Sequence, residues 1–228
     1  MVKIKRYERN KNLINEDEQN ILKISKVCVV GCGGLGGYII EMLGRLGVGN
    51  ITAIDGDVFD ESNLNRQILS EVDFIGKNKS FVAFERINKI NPEVTLKPVV
   101  EFLNEENSTR LLINHDIVID ALDKIQIRLL LQKTCKSLKI PLIHGAIAGW
   151  YGQVCTIFPE DDTLSKIYKS NSDSGMEKDL GNPSFTPALV ASIQVSEAVK
   201  ILLNKGDLLR NKILFINTLN QEYDVLEI

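Results

Sequence analysis

The chain has 228 residues, 44% of them hydrophobic and 25% charged, with 27 basic against 30 acidic side chains. That is the composition of an ordinary soluble globular protein, long enough to bury a sizeable core and in the range of one α/β domain. It excludes a net basic field, so no nucleic-acid partner and no membrane association are expected.

The opening MVKIKRYERNKNLINEDEQ lacks the apolar stretch of a signal peptide, and no run of about 18 apolar residues follows, so a cytoplasmic location is expected. A short amphipathic helix is predicted over 15–24, closing an N-terminal arm of residues 1–25, and an apolar strand over 26–31 leads into the glycine-rich GCGGLGG. A helix from that turn to about Leu46, stopped by Gly47 and Gly49, and a strand over 50–55 complete a βαβ unit. The polar GDVFDESNLNRQ is long for a connection within such a unit, and loops of that kind usually bind something. Next come a helix near 76–90, a strand near 94–99, a helix near 105–113, the strand DIVID, a helix over about 124–139 and the strand PLIHGA. GWYGQVCTIF alternates like an antiparallel strand, and the polar residues 159–182 read as a mobile crossing loop. A long apolar helix, PALVASIQVSEAVKILLN, and the strands KILFIN and YDVLEI finish the chain. The alternation predicts a single α/β domain over 1–228: a Rossmann-like, doubly wound, mainly parallel sheet with antiparallel C-terminal strands.

Gly31, Gly33 and Gly36 fit G-x-G-x-x-G, with Gly34 inside the same turn, and Asp55 closes the second strand about twenty residues on. Glycines permit close backbone approach, the helix N-terminus attracts phosphate, and the carboxylate suits ribose hydroxyls. By itself the turn fits NAD, FAD or ATP, and the bland reading is that its glycines only allow tight packing. Its surroundings tilt the choice, because Asp57, Asn63, Arg66, Gln67 and Lys79 follow closely. Hydride transfer has little use for converging cations, whereas phosphoryl and adenylyl transfer need them where charge builds on phosphate oxygens. ATP is therefore preferred, with an NAD-dependent oxidoreductase as the alternative.

The ordered runs RYERN, GCGGLGG, DGDVFDESNLNRQ, IGKNK and DALD resemble the E1-like adenylating domain, in particular the ThiF/MoeB/HesA family that activates sulfur-carrier proteins. The resemblance implies that Asp55 holds the ribose, that Asn63 and Arg66 contact the triphosphate, that Lys79 reaches the phosphates and that Asp123 binds Mg²⁺, with Asp120 ending its strand. It implies that Arg9 enters the neighbouring subunit's site, so that the active unit is a homodimer. The reaction implied is adenylation by ATP of the C-terminal carboxylate of a ubiquitin-like sulfur carrier ending in Gly-Gly, needing no general base because a carboxylate is already ionised. Another carboxylate, or a modified tRNA base, is the alternative within the fold. His115 and His144 are expected to be structural.

Many members of that family carry two C-x-x-C pairs for a structural zinc. Cys28, Cys32, Cys135 and Cys155 are isolated, so no zinc and no disulfide framework are expected. Residues 159–187 contain no cysteine for thioester or persulfide chemistry, and Cys155 and Cys32 are read as packed thiols.

Overall fold

The computed structural model describes residues 5–168 and 180–228. It is built on an eight-stranded sheet in the order β3-β2-β1-β4-β5-β6-β7-β8. β1 (Lys26–Val30), β2 (Asn50–Ile54), β3 (Thr95–Val99), β4 (Ile117–Asp120) and β5 (Leu142–Ala148) are parallel. β6 (Tyr151–Ile157), β7 (Lys212–Asn217) and β8 (Glu222–Glu227) are added antiparallel, as the alternation predicts. β1 and β4 read as unbroken apolar runs because both faces of the central strands are covered.

Successive β1 side chains feed two cores. Val27 and Val29 pack towards α2 (Gly34–Leu46), α3 (Lys79–Ile90) and α7 (Phe185–Leu203); Cys28 and Val30 pack towards α4 (Ser108–Leu112), α5 (Ile125–Leu138) and α6 (Thr163–Ile167). All four cysteines are buried, and burial pushes each thiol upwards, Cys135 to about 12. β8, at the sheet edge, is exposed at every position.

Local chemistry sets the element ends. Asn15 and Glu18 form a reciprocal capping box, each bond 2.9 Å, that starts α1 (Glu16–Ile24). Gly47, at φ +82°, ends α2, and its N–H donates to the carbonyls of Leu43 and Gly44. Two predicted helices are shorter than their sequence patterns. α4 begins at Ser108 rather than near 105 because Asn104 Oδ1 accepts the N–H groups of Glu106 and Asn107, a local turn that competes with the helix. α3 begins at Lys79 rather than near 76 because Gly76 sits at φ +84° and the Lys79 N–H donates to Asp57 O. Within 159–182, residues 163–167 form α6, while 169–179 of the predicted mobile crossing loop lie outside the described residues.

The N-terminal arm docks at the far end of α2. Asn91 Nδ2 donates to Tyr7 Oη at 2.7 Å and to Gly44 O at 2.8 Å, and a Cβ at Gly47 would lie 2.5 Å from the Tyr7 ring.

Both histidines serve structure, as expected. His115 Nδ1 donates to Leu112 O and its Nε2 accepts from Thr52 Oγ1; His144 is fully buried with Nδ1 donating to Asp120 Oδ2. Burial lowers the pKa of each imidazole, against the hydrogen bonds that favour its charged form. The unfolded chain then takes up protons first as the pH falls, so this contribution to stability is complete above about pH 6.5 and is lost below it, by at most about 1.4 kcal/mol per pH unit per histidine. Urea unfolding between pH 7 and 5 is expected to show this slope, and His144→Gln to flatten it; an unchanged slope in the variant would remove His144 from the account.

Candidate active site

Strand order reverses between β1 and β4, and in open parallel sheets a crevice forms at such a switch, beyond the carboxyl ends of the strands. Two segments meet there: the glycine turn after β1 and residues 120–123 at the end of β4. Gly31, at φ +99°, donates its N–H to Ile54 O at 2.8 Å, and a Cβ on it would stand 2.4 Å from Ala121 O. A Cβ on Gly36 would stand 1.8 Å from Gly31 O. These two glycines are fixed by packing. Gly33 and Gly34 are different, because added Cβ atoms would meet nothing closer than Gln67 at 3.6 Å and Pro187 at 3.7 Å. Gly33 also caps α2 with no side-chain acceptor for the first-turn amides, which leaves an N-terminus suited to an anion.

Asp55 ties the second strand to this turn. Its Oδ2 accepts the Cys32 N–H at 2.7 Å and its Oδ1 the Asp57 N–H at 2.9 Å, while ionised oxygens keep further lone pairs for hydroxyl donors. Lys79 is 6% exposed, with Nζ 2.7 Å from Asp57 Oδ2 and 6.0 Å from the centre of the Phe59 ring. Partial burial raises the Asp57 carboxyl, but the Lys79 ammonium outweighs it and holds the group below the usual carboxylate range. One of three ammonium donors is committed to Asp57, a bond that fixes the direction of the Lys79 side chain.

Arg66 is held through Nη1, which donates to Ser62 O and Asn65 Oδ1 at 2.9 Å each, and its Cγ lies 4.0 Å from the Cβ position of Gly34. Gln67 is buried against Gly33, and its Oε1 has no hydrogen-bond partner among the described residues. Asn63 is placed otherwise. Its Oδ1 accepts the Asp60 N–H at 3.1 Å in a reciprocal cap, so its side chain is engaged in the turn. Asp123 is exposed just before α5, with no hydrogen-bond or ion-pair partner among the described residues.

Arg9 is not brought to this site. It lies two residues from Tyr7 at the C-terminal end of α2, whose 13 residues span about 20 Å. Cys32, inside the turn, is fully buried; burial, aided by Asp55, pushes its thiol well above the ordinary range, so it packs as expected.

Sequence reasoning missed Arg128 and the half-buried Tyr168 and Gln153, which with the buried Asp120 and His144 form a polar cluster beneath this crevice. One signal was available: Arg128 occupies the Ile125, Leu131, Cys135 stripe of α5, where an apolar residue is the rule.

Residues 7–228 match the ThiF family. The chain belongs to that family. It is 32% identical to the SAMP-activating enzyme E1 of Haloferax volcanii over 93% of this chain and 80% of that protein. It is likewise 32% identical to the molybdopterin-synthase adenylyltransferase of Escherichia coli, over 91% of this chain and 84% of that one. Among solved structures it resembles E. coli tRNA N6-threonylcarbamoyladenosine dehydratase in complex with ATP, 28% identical, TM-score 0.76, over 88% of this chain and 94% of that chain. This ThiF-family chain is accordingly an E1-like adenylyltransferase that uses ATP, and the oxidoreductase alternative falls away. The orphaned Gln67 Oε1 and the open amides around Gly33 fit a nucleotide, which would supply what packing leaves unmet.

Two alanine substitutions separate the kinds of glycine. Gly36→Ala should destabilise by about 3 kcal/mol, because backbone must move to admit the methyl group. Gly33→Ala should unfold like the wild type yet bind ATP at least about tenfold more weakly, since the methyl group enters space reserved for the ligand. Wild-type ATP affinity in a folded Gly33→Ala protein, measured calorimetrically, would contradict this assignment.

Proposed function

We propose that this enzyme adenylates the C-terminal glycine carboxylate of a small ubiquitin-like sulfur-carrier protein. The observation that carries the reading is the open glycine turn at the sheet's switch point, against Ala121 at the end of β4 and beside Gln67 and Arg66; a lysine anchored by Asp57 and the exposed Asp123 carboxylate, free of partners among the described residues, support it. A carboxylate oxygen of the carrier attacks the α-phosphorus of ATP, the bond from that phosphorus to the bridging oxygen breaks, and pyrophosphate leaves. No proton moves in the step, which suits a chain whose two histidines are both committed to structure.

Asp55 takes the ribose hydroxyls, the first-turn amides of α2 take phosphate oxygens, and Gln67 offers its unpaired Oε1 to a donor of the nucleotide. Arg66 and Lys79 hold charge developing on the phosphates, while Asp57 keeps the lysine in place. Asn63 acts on this reading by shaping the loop that carries Arg66. The donor set fits Mg²⁺ rather than an all-protein cage: Asp123 is one carboxylate, and no cluster of three or more metal-binding side chains occurs among the described residues. Bound to Asp123 and phosphate oxygens, the ion would neutralise charge on the leaving pyrophosphate.

Arg9, about the length of α2 away from its own site, serves the site of a second copy, so the working unit is a homodimer. The relatives named for SAMP activation and molybdopterin synthesis support a carrier of the ubiquitin-like kind.

ATP–pyrophosphate exchange should appear only when a carrier ending in Gly-Gly is added, and Asp123→Ala should lower it at least about a hundredfold. Exchange driven instead by a short peptide or by tRNA would reassign the substrate. Arg9→Ala and Asp123→Ala proteins, each inactive alone, should regain about a quarter of wild-type activity when mixed and reassembled, since half the dimers then carry one complete site. No recovery from mixing, with heterodimers demonstrated by mass, would place Arg9 outside the reaction.

A further inference from the structure

The cluster beneath the crevice grips both peptide units that flank Leu122. Asp120 is 0% exposed; its Oδ2 accepts His144 Nδ1–H at 2.7 Å, and its Oδ1 accepts the Leu122 N–H at 2.9 Å. From the other side Arg128, 5% exposed, donates Nε–H and Nη2–H to the Leu122 carbonyl at 3.1 and 2.5 Å. The backbone N–H of Leu122 is therefore held by a carboxylate and its C=O by a guanidinium. The preceding residue is fixed as well, because Ala121 donates its N–H to Val30 O at 2.9 Å and its carbonyl lies against Gly31. The next residue is Asp123.

Neutralising Asp120 does not by itself explain this arrangement. Arg128 Nε is 3.8 Å from Asp120 Oδ2, farther than from the Leu122 carbonyl, so the guanidinium fork is aimed at the backbone and only accompanies the carboxylate. Two parallel N–H groups on one carbonyl oxygen fix direction as well as distance. Tyr168 completes the support. Its Oη accepts from Arg128 Nη1 at 3.0 Å and from Gln153 Nε2 at 3.0 Å, and donates to His144 Nε2 at 3.1 Å. His144 carries its proton on Nδ1 to serve Asp120, which leaves Nε2 as the acceptor this hydroxyl needs. The cluster thus links donors and acceptors from β4, α5, β5, β6 and the end of α6.

We propose that Arg128 and Tyr168 are positioning residues for Asp123, holding the backbone on both sides of Leu122 so that the Asp123 carboxylate is presented to a divalent cation in one orientation. The inference rests on the reading of Asp123 as the metal ligand. An exposed carboxylate with no side-chain partner among the described residues takes its position from its backbone alone, and groups that orient a metal ligand commonly change metal affinity when lost.

The test uses Mn²⁺ as the probe, followed by its electron paramagnetic resonance spectrum in the presence of the ATP analogue AMPCPP, with AMPCPP binding also measured without metal. Arg128→Met should weaken Mn²⁺ binding about tenfold and Tyr168→Phe about threefold, with metal-free AMPCPP affinity within about twofold of wild type. Both effects should vanish when Asp123 is already alanine, which a merely structural role would not produce. Tyr168→Phe, which removes one oxygen atom, carries the test should Arg128→Met fail to fold. Wild-type Mn²⁺ affinity in folded variants, parallel loss of metal-free AMPCPP, or an undiminished effect in the Asp123→Ala background would each overturn the inference. Equal Mn²⁺ affinity in wild type and Asp123→Ala would overturn the metal reading and this inference with it. Absence of pyrophosphate exchange in a wild type that shows the expected Mn²⁺ pattern would overturn the adenylation reading alone.

Discussion

Three backbone segments converge at a single point of this molecule, and the distances leave no room for a side chain between them. α2 can begin where it does only because Gly36 lacks a Cβ, which would stand 1.8 Å from Gly31 O; Gly31 in turn lies against Ala121, where its own Cβ would stand 2.4 Å from a carbonyl oxygen. The convergence joins β1, the start of α2 and the end of β4 into one rigid corner. Three features hang from it: the N-terminus of α2, the Asp55 bond to the Cys32 N–H, and the backbone leading to Asp123. Because backbone rather than side chain makes the contact, the corner has little freedom to adjust.

Below that corner lies the molecule's most demanding electrostatic arrangement. A carboxylate without access to water is tolerated only when its lone pairs are met and its charge is answered nearby. Asp120 meets both conditions, through His144, the Leu122 N–H and the neighbouring Arg128. The cluster is also where the second core gives up apolar packing on α5, since Arg128, Gln132 and Thr134 share its buried face with Ile125, Leu131 and Cys135. Gln132 has its own task there, accepting the Leu164 N–H at 2.7 Å and so fixing the start of α6.

Much of this was legible in the sequence, for physical reasons. Parallel strands buried on both faces announce themselves as short apolar runs such as VCVV and IVID, and antiparallel β6 announced itself by alternation. The glycine turn was legible as a close approach, but not which of its glycines serves packing and which the ligand, because that depends on atoms from residues 67, 121 and 187. Asn63 shows another limit: asparagine suits a turn cap as well as a polar contact, and the cap prevails through its neighbour Asp60. Lys79 and Asp57 were read separately, yet they act as a pair. The Asp120 cluster was hidden because its members lie on five elements and meet only through the sheet. The shortened starts of α3 and α4 reflect local bonds from Asn104 and at Gly76, which periodicity does not register.

The outermost strand has a consequence of a different kind. β8 offers one unpaired row of backbone donors and acceptors, the feature by which sheets join copies of themselves, and Tyr223, Val225 and Leu226 lie exposed along it. Glu222, Asp224 and Glu227 share the same short strand. Two such strands brought edge to edge would crowd like charges at close range, a repulsion that grows as water is squeezed out. The final six-residue strand thereby works against open-ended polymerisation while leaving its apolar side chains uncovered.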